Sequence, residues 1–154
     1  MILITGSNGQ LGTELRHLLD ERNEDYVAVD VAEMDITNAE MVEKVFAEVK
    51  PTLVYHCAAY TAVDAAEDEG KELNYAINVT GTENVAKVAE AHGATLVYIS
   101  TDYVFDGTAH TPYAEECKPC PDSIYGSTKL EGEQEVMDHC EKAVVIRTAW
   151  LYSI

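Results

Sequence analysis

Short aliphatic runs alternate with segments of helical periodicity along the whole chain. The first helical segment carries Leu11, Leu15, Leu18 and Leu19 on one face. Strands of this kind, aliphatic throughout and separated by helices, are typical of a parallel sheet that helices cover on both faces. The sequence therefore predicts a doubly wound α/β fold. The predicted strands are 1–4, 26–29, 52–56, 95–99 and 143–146, and the predicted helices are 10–22, 39–49, 74–92 and 123–141.

Three glycines separate the first predicted strand from the first helix. Gly6 can make a tight turn, Gly9 can let the backbone approach a diphosphate, and Gly12 can let the helix lie close to the strand. A diphosphate would then lie at the helix N-terminus, where free N–H groups and the positive end of the dipole converge. A purely structural turn is the alternative, but the flanking strand and amphipathic helix favour a Rossmann dinucleotide site.

Acidic residues follow the second predicted strand. Asp30 lies about 20 residues past the glycine turn, where a carboxylate can accept hydrogen bonds from the adenosine ribose. No Arg or Lys lies between Arg22 and Lys44 to neutralise a 2'-phosphate, so this placement favours NAD over NADP. A solvated carboxylate is the alternative. Asp35 and Ile36 could hold the adenine amino group and cover the face of the ring.

A Tyr and a Lys four residues apart lie on the predicted helix 123–141. Because residues four apart share a helix face, Lys129 can stand beside Tyr125. A neighbouring ammonium is expected to lower the pKa of the phenol, which is about 10 when unperturbed. Tyr125 could then protonate a carbonyl oxygen that receives a hydride, and Thr101, at a strand end, could orient that oxygen. A surface Tyr and Lys pair is the alternative.

Composition narrows the partners. The 154 residues include 10 basic and 28 acidic residues, a formal net charge of −18. Such a surface repels polyanions, so nucleic acid and anionic membranes are not expected as partners. The length favours a single domain spanning residues 1–154, and the absence of a membrane span or signal segment predicts a cytoplasmic protein.

The cysteines and histidines predict no metal site. Cys117 and Cys120 form a CxxC, but no second pair of ligands accompanies it, and Pro119 and Pro121 argue against a thioredoxin-like helix start. We interpret the four cysteines as reduced thiols. The five histidines lack ligand spacing and are interpreted as structural or surface residues.

Several blocks in the right order resemble the extended short-chain dehydrogenase/reductase superfamily, and within it the dTDP-4-dehydrorhamnose reductase family. The resemblance runs over essentially all 154 residues. The blocks are Gly6-Ser7-Asn8-Gly9-Gln10-Leu11-Gly12, Ala58-Ala59-Tyr60-Thr61-Ala62-Val63-Asp64, Ser100-Thr101-Asp102-Tyr103-Val104-Phe105-Asp106-Gly107, Tyr125-Gly126-Ser127-Thr128-Lys129-Leu130-Glu131-Gly132-Glu133 and Arg147-Thr148-Ala149-Trp150-Leu151-Tyr152.

The resemblance implies an enzyme that reduces the 4-keto group of dTDP-4-dehydro-L-rhamnose with NADH or NADPH. It implies that Tyr125 is the proton donor, with Lys129 and Thr101 as the other catalytic residues. Thr101, Asp102 and Trp150 would touch the sugar nucleotide. Some relatives dimerise around Mg²⁺, which nothing in these residues decides. The cofactor-binding residues would be Gly6, Gly9, Gln10, Leu11, Gly12, Asp30, Asp35, Ile36, Ala58, Ala59, Tyr60, Thr61, Tyr125 and Lys129.

The chain departs from the family in length and at one motif. Family members are roughly twice as long, so we expect a cofactor-binding portion without the substrate domain, and weak or no turnover by these residues alone. His56-Cys57 stands before the Ala pair, where relatives usually carry an Asn. This difference touches the expected cofactor crevice.

Two other functions fit parts of the pattern. The non-catalytic regulatory subunit of methionine adenosyltransferase is similar to this family, but it lacks the pair that Thr101 and Asp102 supply here. Sugar-nucleotide 4,6-dehydratases need a Glu after this Thr-Asp pair, and Tyr103 stands there; an epimerase is the related possibility. The sequence therefore favours a reductase.

Overall fold

A computed structural model describes residues 1–153. Its centre is a sheet of five strands, all parallel to their neighbours, in the order β2-β1-β3-β4-β5. Every strand except β4 has six residues or fewer. The strands are β1 Ile2–Thr5, β2 Tyr26–Val29, β3 Leu53–His56, β4 Thr95–Thr101 and β5 Ala143–Thr148.

Helices connect successive strands and flank the sheet, so the predicted doubly wound α/β class is confirmed. A π-helical segment, Ala76–Gly81, runs without a break between α4 and α5, and a 3-10 turn, Asp102–Val104, follows β4. Within residues 1–153 no helix is long and apolar enough to cross a membrane. The helices are α1 Gln10–Glu21, α2 Ala39–Val49, α3 Val63–Ala66, α4 Lys71–Tyr75, α5 Thr82–Ala91 and α6 Ile124–His139.

The boundaries differ from the predicted ones mainly where helices are short or strands turn polar. The helix predicted over 74–92 begins three residues earlier, at Lys71, and α3 was not predicted because four residues are too few to show a period. Strands β4 and β5 each continue two residues beyond the predicted ends, and Thr101 pairs with Thr148 there. The longer strands carry Thr101 to the sheet edge where ligands bind in such folds.

The hydrophobic core lies between the sheet and the helices. Leu3, Val54 and Leu96 are fully buried on adjacent strands, and Phe46 of α2 and Val85 of α5 pack in the same cluster. Helix α2 packs on α5, and α5 on α6. Aliphatic side chains of the sheet are therefore removed from water, which is the main stabilising contribution in a fold of this kind.

A series of hydrogen-bonded polar side chains crosses the core at the carboxyl end of β3. The Thr5 hydroxyl accepts from the Ala58 amide at 3.2 Å, so it donates to Nδ1 of His56 at 2.7 Å. His56 Nε2 then donates to the Thr82 hydroxyl at 3.1 Å. Burial, with Lys129 nearby, lowers the pKa of His56 to about 3. The neutral imidazole thus joins β1 and β3 to α5 inside the protein. His56 therefore lies in the core and does not line the cofactor crevice, where the departure from the family motif was expected to act.

We expect His56 to make stability sensitive to acid. The unfolded chain gains a proton at His56 below about pH 6.5, while the folded chain resists it down to about pH 3. The free energy of unfolding should therefore fall by about 1.4 kcal/mol per pH unit in this range from this residue alone. In His56→Gln this component disappears, so urea titrations between pH 7 and 5 should show a shallower loss; equal slopes would contradict the assignment.

Candidate active site

Two adjoining hollows open at the carboxyl ends of the strands. Their volumes are about 380 and 320 Å³, and both are lined by Gly6, Gly9, Cys57 and Ala59. These residues follow β1 and β3, the two neighbouring strands at which the strand order reverses. In open α/β sheets the crevice at such a reversal is where ligands bind. We call the 320 Å³ space the acidic hollow and the 380 Å³ space the catalytic hollow.

The glycine turn lets β1, α1 and the end of β3 come unusually close together. Gly6 has a φ of +63°, and a Cβ there would lie 2.6 Å from the Ala58 backbone nitrogen. A Cβ at Gly12 would collide with the Gly6 carbonyl oxygen. Gly9 is less confined, because its Cβ would lie 3.3 Å from the Gly6 oxygen. Gly6 and Gly12 are therefore required by packing, whereas Gly9 faces both hollows.

Helix α1 begins at the glycine turn with its N–H groups available. Gly9 is the N-cap residue and supplies no side chain to cap them. The first intrahelical bond runs from the Thr13 amide to the Gly9 carbonyl at 2.9 Å. The amides of Gln10, Leu11 and Gly12 precede it, and these residues line the catalytic hollow. The arrangement suits an anionic group such as a diphosphate.

The acidic hollow holds the two carboxylates predicted to bind an adenosine. Asp30 accepts the Asn8 amide on Oδ2 and the Val31 amide on Oδ1, both at 2.9 Å. Asp35 uses Oδ1 to accept from Thr37, so its other oxygen is available. No Lys or Arg of the described chain lines the acidic hollow. The residues that line it are Gly6, Gly9, Asp30, Val31, Met34, Asp35, Ile36, Thr37, Cys57, Ala58, Ala59, Leu73 and Ile77.

Thr101, Tyr125 and Lys129 meet in the catalytic hollow. Thr101 ends β4, while Tyr125 and Lys129 lie one turn apart at the start of α6. The Ser123 hydroxyl accepts the Gly126 amide at 3.0 Å and caps this helix. The cap and the buried start of α6 fix the direction of the Tyr125 side chain, which is 8% exposed.

The Lys129 ammonium is held inside the protein. Its Nζ donates to the Ile99 carbonyl at 2.7 Å and lies 4.4 Å from the centre of the Tyr98 ring. Burial lowers the pKa of Lys129 to about 7, although nearby Glu133 and Cys57 act to raise it. The pKa of the Cys57 thiol is itself raised to about 11 by burial. Lys129 therefore titrates near neutral pH in this site.

The expected depression of the Tyr125 pKa is wrong for this structure. Burial raises that pKa, a hydrogen bond from Thr101 lowers it, and Tyr103 and Asp102 raise it further. Lys129 is not among these causes, because its ammonium donates to the Ile99 carbonyl instead. The Tyr103 ring meets Tyr125 edge-on, with 5.5 Å between the ring centres. In this state Tyr125 is a protonated phenol, and the Thr101 hydroxyl beside it donates to Oδ1 of Asp102 at 3.3 Å.

The open mouth of the catalytic hollow carries the residues predicted to touch a sugar nucleotide. Asp102 and Trp150 line it together with Thr148, Ala149 and Leu151. Trp150 is 91% exposed and has a φ of +52°. A large aromatic side chain with this exposure buries almost none of its apolar surface within the described chain.

Comparisons with known proteins identify the family. A family model described as the RmlD substrate binding domain matches residues 1–154. The chain belongs to this family. It is 42% identical over 151 residues to the dTDP-4-dehydrorhamnose reductase of Streptomyces griseus. The aligned region covers 97% of this chain and 49% of that relative. The chain thus spans about half the length of the curated relatives it matches.

Solved structures agree with this assignment to the RmlD family. A dTDP-4-dehydrorhamnose reductase from Clostridium acetobutylicum is 50% identical with a TM-score of 0.94, covering 98% of this chain and 54% of that one. The Bacillus anthracis enzyme of the same name, solved in complex with NADP, is 46% identical with the same TM-score and coverage. The backbone described above is therefore the fold of the matching portion of these proteins.

One predicted cofactor residue lies outside both hollows. Tyr60 does not line them; its hydroxyl lies against Gly70, where a Cβ would collide with it. Its backbone is fixed instead, since Asn78 of the π-helical segment accepts its amide at 2.9 Å and donates to its carbonyl at 3.1 Å. The other predicted site residues all line one hollow or both, including Ala58, Ala59 and Thr61.

Sequence reasoning missed several residues of the site. Cys57 lines both hollows, and its place directly after the buried end of β3 could have indicated this. Tyr103 packs on Tyr125, and the buried Asn78 orients the loop around Tyr60. Asn74, Asn78 and Thr82 recur at four-residue spacing and are all buried, so this polar helical row could have indicated Asn78.

One histidine has possible metal-ligand neighbours. Ligand atoms of Glu83, Glu135 and His139 all lie within 4.8 Å of one another on α5 and α6. This grouping, which the histidine spacing did not predict, is only partly buried, and the Lys87 ammonium already pairs with Glu83. It is separate from both hollows.

Substitution of Gly6 should test the close contact between the glycine turn and β3. Gly6 and Gly93 both have positive φ, but a Cβ at Gly93 would meet nothing within 4 Å. Gly93→Ala should lower the free energy of unfolding by about 1–2 kcal/mol through backbone strain alone. Gly6→Ala should lower it by more, because the methyl group meets the Ala58 backbone. Equal losses in urea titrations would contradict this packing.

Proposed function

We propose that this chain is the cofactor-binding and catalytic portion of an NAD(P)H-dependent reductase of dTDP-4-dehydro-L-rhamnose. The product would be dTDP-L-rhamnose. The observation that carries the proposal is that Thr101, Tyr125 and Lys129 line one hollow together with the glycine turn. A ketone bound there would have both a proton donor and a hydride source within reach.

The relatives support the substrate class. The Streptomyces griseus protein and the two solved structures are all named dTDP-4-dehydrorhamnose reductases, and one contains NADP. The residues that would contact the sugar nucleotide are Thr101, Asp102 and Trp150, which line the mouth of the catalytic hollow. Because those relatives are about twice as long, we expect the rest of the sugar-nucleotide pocket to need the half that this chain does not match.

The chemistry requires a proton on the ketone oxygen and a hydride on the ketone carbon. A nicotinamide cofactor held by the glycine turn and the acidic hollow would supply the hydride and would be oxidised in return. The Tyr125 hydroxyl donates its proton to the oxygen, so the ketone becomes a secondary alcohol. A protonated Tyr125, as its raised pKa implies, is the form that this direction of reaction needs.

Thr101 and Lys129 assist this proton transfer in different ways. The Thr101 hydroxyl lines the same hollow as Tyr125, where it would donate to the ketone oxygen and orient it. Lys129 lines the same hollow, so its ammonium would stabilise negative charge that develops on the ketone oxygen. Because the pKa of Lys129 is lowered to about 7, its charge falls away as the pH rises through neutrality.

The cofactor would lie across both hollows. Its diphosphate would meet the amides at the start of α1, and its adenosine would meet Asp30, Asp35 and Ile36. Asp30 favours a ribose with a free 2'-hydroxyl, since the acidic hollow offers no cation for a 2'-phosphate. We therefore expect NADH to bind more tightly than NADPH.

The cellular setting is part of the same proposal. The four free cysteines and the use of a nicotinamide cofactor support a cytoplasmic enzyme. A homodimer and a role for Mg²⁺ rest on the family resemblance alone. Light scattering of the purified protein with and without EDTA tests both.

Replacing Tyr125 should abolish reduction without unfolding the protein. The assay uses the whole protein that the gene encodes. Tyr125→Phe removes only the hydroxyl, so kcat for NADH oxidation by the keto sugar should fall by about 100-fold or more. The fall in absorbance at the nicotinamide band measures this. Tyr113→Phe removes a hydroxyl from an exposed loop tyrosine and serves as the matched control.

The outcome also separates the rival function. Undiminished reduction by Tyr125→Phe would contradict the role of this residue. An unchanged protein that oxidises no NADH with the keto sugar, but binds a methionine adenosyltransferase catalytic subunit, would favour a regulatory subunit instead.

Cofactor preference should depend on Asp30. In this 154-residue chain NADH should bind about 10-fold more tightly than NADPH, which corresponds to about 1.4 kcal/mol. Asp30→Ser should remove most of that preference, as measured by fluorescence titration with both cofactors. Asp35→Asn, a change in the other carboxylate of the same hollow, should weaken both cofactors alike. Tighter binding of NADPH to the unchanged chain would refute the preference.

A further inference from the structure

Helix α6 carries a third buried polar side chain in line with Tyr125 and Lys129. Glu133 follows Lys129 by four residues, as Lys129 follows Tyr125, so all three lie on one face of the helix. Glu133 is only 7% exposed. Carboxylates are rarely buried to this degree unless they are paired. The function of this carboxylate is not explained by the proton transfer described above.

Three hydrogen bonds hold the Glu133 carboxylate in place. Oε1 accepts from the Ser100 hydroxyl at 2.6 Å and from Nε of Arg147 at 2.9 Å, and Oε2 accepts from Nη2 of Arg147 at 2.7 Å. The two-point pairing with the guanidinium fixes the plane of the carboxylate. Glu133 thereby joins α6 to β4 and β5.

The partners of Glu133 are sequence neighbours of the catalytic hollow. Ser100 lies between Ile99, whose carbonyl accepts from Lys129, and Thr101. Arg147 directly precedes Thr148, which lines the hollow. A displacement of Glu133 would therefore be transmitted to the strand that holds the Lys129 ammonium.

We propose that Glu133 is a positioning residue that keeps the Lys129 ammonium cationic and docked on the Ile99 carbonyl. This inference rests on the proposed function for its consequence in catalysis, but the coupling between the two side chains does not. Arg147, which is only partly buried, pairs with the same carboxylate.

The surroundings of Lys129 explain why such a carboxylate matters. Burial depresses the pKa of Lys129, and Glu133 is the leading influence that raises it. The other titratable groups that face this ammonium are Tyr98 on β4, His56 and Cys57 at the end of β3, and Tyr125 on α6. His56 is neutral near pH 7, and the raised pKa values keep the cysteine and tyrosines uncharged there. Among these neighbours, Glu133 alone brings a negative charge at neutral pH.

A direct titration tests the coupling without any activity measurement. In the 154-residue chain labelled with ¹³C at lysine Cε, the Lys129 signal is assigned by its loss in Lys129→Arg and followed against pH. Glu133→Gln should lower the titration midpoint by about one pH unit or more. Glu131→Gln, the same change at an exposed position of the same helix, should leave the midpoint unmoved. An unmoved midpoint in Glu133→Gln would overturn the proposal.

A second variant keeps the test decisive if Glu133→Gln does not fold. Arg147→Met leaves the carboxylate in place and removes its other positive partner, so the Lys129 midpoint should rise. A midpoint that falls or stays in Arg147→Met would count against the coupling. In Glu133→Asp, which retains the charge, the Lys129 titration midpoint should stay close to that of the unchanged chain.

Catalysis by the polypeptide as the gene encodes it supplies the functional half of the test. If Lys129 acts as a cation, the alkaline limb of the kcat profile should move to lower pH in Glu133→Gln, so kcat should fall more above pH 7 than near pH 5.5. If kcat falls by the same factor at every pH, Glu133 has only a structural role and its positioning role is overturned. A shifted titration midpoint in a protein that reduces no keto sugar would instead refute the proposed function and leave the coupling intact.

Discussion

The burial of one ammonium group constrains the end of the sheet where the two hollows open. Lys129 is 3% exposed, and an unpaired charge at that depth would be strongly unfavourable. Its compensation comes from the Ile99 carbonyl and the Tyr98 ring on β4 and from Glu133 on α6. These contacts set α6 against β4. Thr101 and Tyr125 belong to the same two elements, so the arrangement that stabilises the charge also brings both side chains into one hollow.

A second constraint acts where β1 and β3 approach each other. Gly6 permits backbone contact with Ala58, and the bond between Thr5 and His56 joins the same two strand ends from the core side. The residues between the ends of β1 and β3 are therefore held by backbone packing at Gly6 and by the hydrogen bond between Thr5 and His56. A ligand that spans the crevice meets a surface already formed, which reduces the entropy lost on binding.

The sequence predicted the fold well because its signals are local and repeated. Aliphatic strands, helical periods and the glycine turn each report on a neighbourhood of a few residues, and parallel strands bring their carboxyl ends to one edge. This is why Thr101 and Trp150 could be placed near Tyr125. The sequence could not show which acceptor the Lys129 ammonium selects, nor that Tyr60 turns towards Gly70, since both depend on packing between distant segments.

The net charge of −18 makes an anionic cofactor an unfavourable partner at long range. The two hollows add Asp30, Asp35 and Asp102, and Lys129 is the one cation that lines them within residues 1–153. Attraction must therefore come from the amides at the start of α1 and from Lys129, which act over a few ångströms. Because such contacts form only when the ligand fits, discrimination between nucleotides depends on shape and hydrogen bonding in the crevice. Electrostatic steering from solution opposes this binding.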